Sequence, residues 1–112
     1  IPLIRIGTAM REAILVMSAK GFGCVGVVDG ANRLVGIVTD GDLRRHLSAD
    51  VLSEPVDAVM TRSPKTVGAE ALLGVAIEML TSRGITALIV VDDDHRPVGI
   101  VHMHDLLRAG VA

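Results

Sequence analysis

Apolar positions along this chain follow two patterns, one at helical spacing and one in short continuous runs. Ala9, Met10, Ala13, Ile14 and Met17 recur at intervals that predict an amphipathic helix. Gly21 lies just past the last of them, after Lys20, as a helix C-terminal stop does. Two apolar runs then predict strands over Cys24–Val28 and Leu34–Val38, joined by the polar turn Gly30-Ala31-Asn32. A short extended piece, Leu3–Ile6, precedes the helix. A second helix is expected to begin near Asp42 and to run to Leu47.

The whole order then recurs. Sliding the sequence against itself by 63 residues aligns 1–47 with 64–110 without a gap, and 14 of the 47 positions are identical. The identities include Gly21 on Gly84, Val27-Val28-Asp29 on Val90-Val91-Asp92, Val35–Val38 on Val98–Val101, and Asp42-Leu43 on Asp105-Leu106. Such clustering marks a tandem duplication. The second copy predicts an extended piece at Thr66–Val67 and a helix carrying Leu72, Leu73, Ala76, Ile77 and Leu80. Strands over Ala87–Val91 and Val98–Val101 follow, and a last helix from Asp105 to Ala109. Residues 1–47 and 64–112 are therefore read as repeats. Residues 48–63 are polar and contain Pro55; they read as a linker with one helical turn at Val56–Met60. Each β-α-β-β-α unit is too small to bury both faces of its sheet alone. The expected fold is α/β (α+β), two tandem units packed about a pseudo-twofold axis, with the clefts between them as ligand sites.

Composition narrows the function. Half of the 112 residues are hydrophobic, yet there is one Phe and no Trp or Tyr. The high hydrophobicity excludes disorder. Aromatic stacking on nucleic acid lacks its rings, and a net charge of −2 offers no basic field for phosphates. One cysteine, Cys24, forbids an internal disulfide and a cysteine-based zinc site; in its apolar stretch it reads as an inert buried thiol. No apolar run reaches the length of a membrane span, and no signal-peptide pattern is present. The opening Ile1-Pro2 suggests a piece of a longer protein, and a reducing, cytoplasmic setting is expected.

Two segments could carry chemistry. In Gly36-Ile37-Val38-Thr39-Asp40-Gly41-Asp42 a strand ends at Thr39 and a helix begins within three residues, so a hydroxyl and a carboxylate stand at i and i+3. The carboxylate can accept both hydroxyls of a ribose while Thr39 and the helix start hold a phosphate. The same Thr-x-x-Asp spacing equally describes a capping box that only closes the helix. The second copy keeps Asp105 but places His102 where Thr39 stood and His104 where Gly41 stood. A neutral imidazole donating to a ligand oxygen or capping the helix fits this pattern better than a metal, since no further His/Cys cluster is near and His95 lies in a turn. His46 reads as a solvated residue at a helix end. Arg44, Arg45 and Arg108 either reach an anionic ligand or line a solvated helix face. Nothing resembles a nucleophile elbow, a P-loop or a metal-hydrolase motif, so no catalytic residue is assigned.

With these pieces in hand, the chain resembles a tandem pair of CBS domains, the regulatory module named after cystathionine β-synthase. The resemblance rests on Lys20-Gly21-Phe22, Val27-Val28-Asp29 and their copies, on Gly36–Asp42, and on Asp57-Ala58-Val59-Met60-Thr61-Arg62-Ser63-Pro64 before the second repeat. More narrowly, Thr39–Arg45 together with His102-Met103-His104-Asp105-Leu106-Leu107 resembles the C-terminal CBS pair of bacterial arabinose-5-phosphate isomerases. There a sugar-isomerase domain precedes the pair, and the enzyme feeds synthesis of the lipopolysaccharide sugar Kdo. The resemblance implies regulation or oligomer support by this module, with catalysis elsewhere. No cofactor is required; the implied partner is a regulatory nucleotide or nucleotide-sugar. Asp42 and Asp105 would contact the ribose, with Thr39, His102 and His104 as phosphate or hydroxyl partners. Gly23, Cys24, Thr86 and Ala87 would line the same clefts, and Thr66 would meet base or sugar. Adenylate-binding relatives often carry a basic residue where Cys24 and Ala87 stand, which disfavours ATP and makes CMP-Kdo an attractive feedback ligand. The resemblance further implies a homodimer through the helices and a parent that can be a tetramer, without nucleic-acid or membrane partners.

Overall fold

Met10, Ala13 and Met17 recur every three to four residues, and in the computed structural model they form the buried face of the first helix, α1 (Met10–Lys20). The structure describes residues 1–21, 23–47, 50–68, 74, 78 and 87–102. Helix α1 ends at Gly21, whose left-handed backbone (φ 71°, ψ 18°) returns its N–H to the carbonyl of Met17 at 3.0 Å. That geometry favours glycine and fulfils the expected stop.

Two compact units divide the chain, Ile1–Pro64 and Lys65–Ala112. In the first, strand β1 (Leu3–Arg5) pairs in parallel with β2 (Cys24–Val28), which pairs antiparallel with β3 (Leu34–Thr39). A short helix α2 (Asp40–Arg45) follows β3 at once, and strand β4 (Thr61–Arg62) completes a four-stranded sheet on the far edge of β3. Every residue of β2 is buried, which explains its unbroken apolar run. Val25, Val27 and Val38 join the buried face of α1 in the core.

Residues 50–63, read as a polar linker, are built into this first unit. Val51, Val56, Val59 and Met60 belong to its core: Val51 and Val56 open two turns of 3-10 helix at Val51–Ser53 and Val56–Ala58, and Val59 and Met60 follow the second. The second of these occupies the expected helical turn. The segment also caps α1, which starts after Ala9 with no side-chain cap. The N–H of Met10 donates instead to the carbonyl of Glu54 at 2.8 Å, and the N–H of Val56 to that of Thr8 at 2.7 Å. Asp57 accepts the N–H of Gly7 at 2.7 Å. Spaced apolar residues within a polar background thus hold this stretch down, a pattern too sparse to register as a core element.

The second unit contains β5 (Thr66–Gly68), parallel to β6 (Ala87–Val91), which is antiparallel to β7 (Pro97–His102). Its register repeats the first at the same offset of 63. Leu3↔Gly26 becomes Thr66↔Ile89, Cys24↔Thr39 becomes Ala87↔His102, and the irregularity between Val27 and Val28 recurs between Val90 and Val91. The turns match as well. Asp29 accepts the N–H groups of Ala31 and Arg33, as Asp92 accepts those of Asp94 and Arg96. Asn32 and His95 take the same left-handed position, at φ 63° and 64°. His95 is therefore a turn residue. Of the expected helix over 72–80 the structure describes Gly74 and Glu78, both helical, and the expected helix over 105–109 lies outside the described residues. The described secondary structure is mixed α and β, as the pattern predicts.

Candidate functional site

The strongest polar constellation lies where β3 runs into α2. Thr39 leaves the sheet in an extended conformation (φ −115°, ψ 171°) and caps the helix. Its backbone N–H donates to Asp42 Oδ2 at 2.9 Å and its hydroxyl to the same oxygen at 3.1 Å. The N–H of Asp42 donates in return to Thr39 Oγ1 at 3.2 Å. The capping alternative read from Thr-x-x-Asp is thus realised as a reciprocal capping box. It also explains why α2 starts at Asp40, two residues before the expected position.

Two further donors close the carboxylate. The hydroxyl of Thr61, on β4, donates to Asp42 Oδ1 at 2.7 Å, and the guanidinium of Arg45 donates to the same oxygen. A carboxylate offers about four acceptor positions. Here Oδ1 takes Thr61 and Arg45, and Oδ2 takes the two groups of Thr39. Asp42 is only 3% exposed, the sole buried charged residue among those described. Burial by itself raises its pKa, but the hydrogen bonds from Thr61, the Thr39 backbone, Arg45 and the Thr39 hydroxyl outweigh that and hold the carboxyl below its usual value. The group is a charged anchor at neutral pH.

Gly23 and Cys24 reach the same place. Cys24 pairs directly with Thr39 across β2 and β3, and a Cβ on Gly23 would meet Asp40 Oδ2 at 3.4 Å. Burial, with a smaller contribution from the Asp40 charge, pushes the Cys24 thiol up to about 11. It therefore stays protonated at neutral pH, consistent with an inert buried thiol. Asp40 and Asp42 both stand in the first turn of α2, so negative charge already occupies the end of the helix that would draw a phosphate.

In the second unit Ala87 pairs with His102, at the positions that Cys24 and Thr39 hold in the first. His102 is half-buried at the end of β7, and Thr66 opens β5, paired with Ile89. Thr86, His104 and Asp105 lie outside the described residues. Among the described residues no three metal-ligating side chains cluster, and no helix is long and apolar enough to cross a membrane. Sequence reasoning missed the part of Thr61, although the Val-Met-Thr segment that contains it stood out. Arg45 had a readable signal, since it lies three residues after Asp42 on one helix face.

One family description matches this chain, that of the CBS domain, over residues 1–49 and 56–112. The chain belongs to the CBS domain family. It is 48% identical over 113 residues to arabinose 5-phosphate isomerase KdsD of Pseudomonas aeruginosa, a match covering 99% of this chain and 35% of that protein. To the enzyme of the same name from Francisella tularensis it is 41% identical over 110 residues, covering 96% of this chain and 33% of the relative. The chain thus spans about a third of the length of these relatives. Among solved structures, CBSX2 in complex with AMP is 27% identical with a TM-score of 0.82, over 97% of this chain and 86% of that one. The chain is a CBS-domain pair related to KdsD.

Proposed function

We propose that this CBS pair is the regulatory module of an arabinose-5-phosphate isomerase and binds a nucleotide or nucleotide-sugar. The single observation that carries this reading is the match to KdsD from one end of the chain to the other. The AMP complex of CBSX2 supports a nucleoside monophosphate as the ligand class. On this reading Asp42 receives the ribose hydroxyls, Thr39 and His102 are the partners of its phosphate or a sugar hydroxyl, Gly23, Cys24 and Ala87 line the site, and Thr66 meets the base or sugar. The expected roles of Asp105, His104 and Thr86 fall on residues outside those described. With no basic residue at 24 or 87, a monophosphate such as AMP or CMP-Kdo is better served than ATP. CMP-Kdo would let the activated sugar of the pathway report to an early enzyme. This fragment performs no turnover itself, and the free, protonated Cys24 suits a cytoplasmic setting.

A second reading is favoured by one specific observation. Every acceptor position of Asp42 is already filled from within the chain, while Leu15 on α1 is 67% exposed. On that reading the module binds no small molecule and supports a dimer or tetramer of the parent through its helices. Thermal-shift titration with AMP, ATP, CMP and CMP-Kdo separates the two, because a ligand that binds the folded state raises stability by mass action. Stabilisation by a monophosphate is expected. No stabilisation by any of the four at millimolar concentration leaves only the interaction module.

A further inference from the structure

Among the four donors to Asp42, the Thr61 hydroxyl stands apart. Thr39 and Arg45 lie three residues from Asp42 along the chain, whereas Thr61 arrives from β4, 19 residues on. The two Thr39 bonds belong to the cap of α2, so their loss undoes the helix start. Arg45 is charged, and its attraction to the carboxylate survives a small displacement. Thr61 is neutral. Exchanging its hydroxyl for a ligand hydroxyl replaces like with like and leaves the cap and the ion pair standing.

The strand that carries Thr61 is also the weakest element of its sheet. It is two residues long, exposed along its length, and held to β3 by the pairs Gly36↔Arg62 and Ile37↔Thr61. Next to it, Met60 is buried over Gly36, where a Cβ would stand 2.5 Å from the Met60 sulfur. Beyond β4 the chain continues within a few residues into β5, the first strand of the second unit.

We infer that Thr61 is a latch on the nucleotide site: its hydroxyl holds Asp42 Oδ1, and a ribose that grips Asp42 displaces it and loosens β4 from β3. The inference rests on the nucleotide reading of Asp42 given above. It adds a mechanism for regulation, because occupancy at Asp42 becomes movement of the segment leading into the second repeat. Free energy held in the Thr61 bond is subtracted from ligand affinity, so removing the donor must tighten binding.

The test is calorimetric titration of the chain with AMP, in wild type, Thr61→Val and Thr61→Ser. Valine keeps the branched shape and loses the donor, and serine keeps the donor. Thr61→Val is expected to bind AMP roughly tenfold tighter, the value of one hydrogen bond to a charged acceptor, while Thr61→Ser stays within about twofold of wild type. A purely structural Thr61 would lower the stability of the valine variant without raising its affinity. Amide exchange of wild type gives a second readout that needs no variant to fold: AMP must speed exchange across Met60–Arg62. Equal or weaker AMP binding by Thr61→Val, or AMP-induced protection of Met60–Arg62, overturns the latch and leaves the nucleotide reading in place. No AMP binding to wild type or to Thr61→Val at millimolar concentration overturns both.

Discussion

The β2–β3 pair of the first unit and the β6–β7 pair of the second are the same object built twice, with one register, one irregularity and one turn. They differ in what lies against them. β3 alternates buried and half-buried residues and carries β4 on its outer edge, whereas among the described residues no strand lies on the outer edge of β7. Val35 is half-buried, but its counterpart Val98 is 54% exposed. Gly36 is crowded by Met60 and by the backbone of Thr61, while the nearest described atom to a Cβ on Gly99 is that of Val90, at 3.8 Å. A duplicated sequence therefore reproduced the sheet, and among the described residues the stretch that follows the first copy distinguishes the two.

That contrast can be broken most forcefully at Asp42. Replacing it with alanine removes the capping box and strands Thr61 and Arg45, so Asp42→Ala should cost roughly 3 kcal/mol in urea unfolding. A loss under about 0.5 kcal/mol would mean that the network does not hold the unit together. The same carboxylate sets an acid limit. Its folded pKa is lowered, so its contribution is complete above its unfolded value near pH 4 and is lost as the pH falls through the folded one. Urea midpoints measured from pH 6 down to pH 2.5 should therefore fall less steeply in Asp42→Ala than in wild type. An identical pH profile in the two proteins would contradict this assignment.

The paired glycines Gly36 and Gly99 differ next in size of effect. Gly36→Ala forces a Cβ against Met60 and the Thr61 carbonyl and should cost about 1–3 kcal/mol. Gly99→Ala meets only ordinary contact among the described residues and should stay within about 0.5 kcal/mol of wild type. Equal losses at both positions would show that β7 is covered as β3 is. The smallest effects belong to the turns, where the copies should agree in sign. His95→Gly should stabilise by about 0.5–1 kcal/mol, because a left-handed backbone strains a bulky residue. Asn32→Gly should gain only a few tenths, since asparagine tolerates that region. A loss at either position would point to a side-chain contact that outweighs the backbone gain.

Much of this was legible in the chain because it is local or repeated. Apolar spacing marked α1, continuous apolar runs marked β2, β3 and β6, and Gly21 marked a helix end, each within one or two residues of the structure. Boundaries slipped where a neighbouring group decides them: β3 extends to Thr39 because that residue both pairs with Cys24 and caps α2. The stretch 50–63 looked like a linker because its apolar residues follow no single period. Its role appears only once Val51, Val56, Val59 and Met60 meet the face of α1 and the sheet.

For the candidate site the division is sharper. The duplication, the polar turns after Asp29 and Asp92 and the three-residue spacing of Thr39 and Asp42 are legible in the chain, since all depend on residues a few positions apart or on an offset of 63. What else touches the carboxylate depends on how the strands come together. Thr61 reaches Asp42 because β4 lies beside β3 in one register, a contact across 19 residues that no local spacing encodes. A buried carboxylate needs every acceptor position filled. Which donors fill them is settled by the sheet.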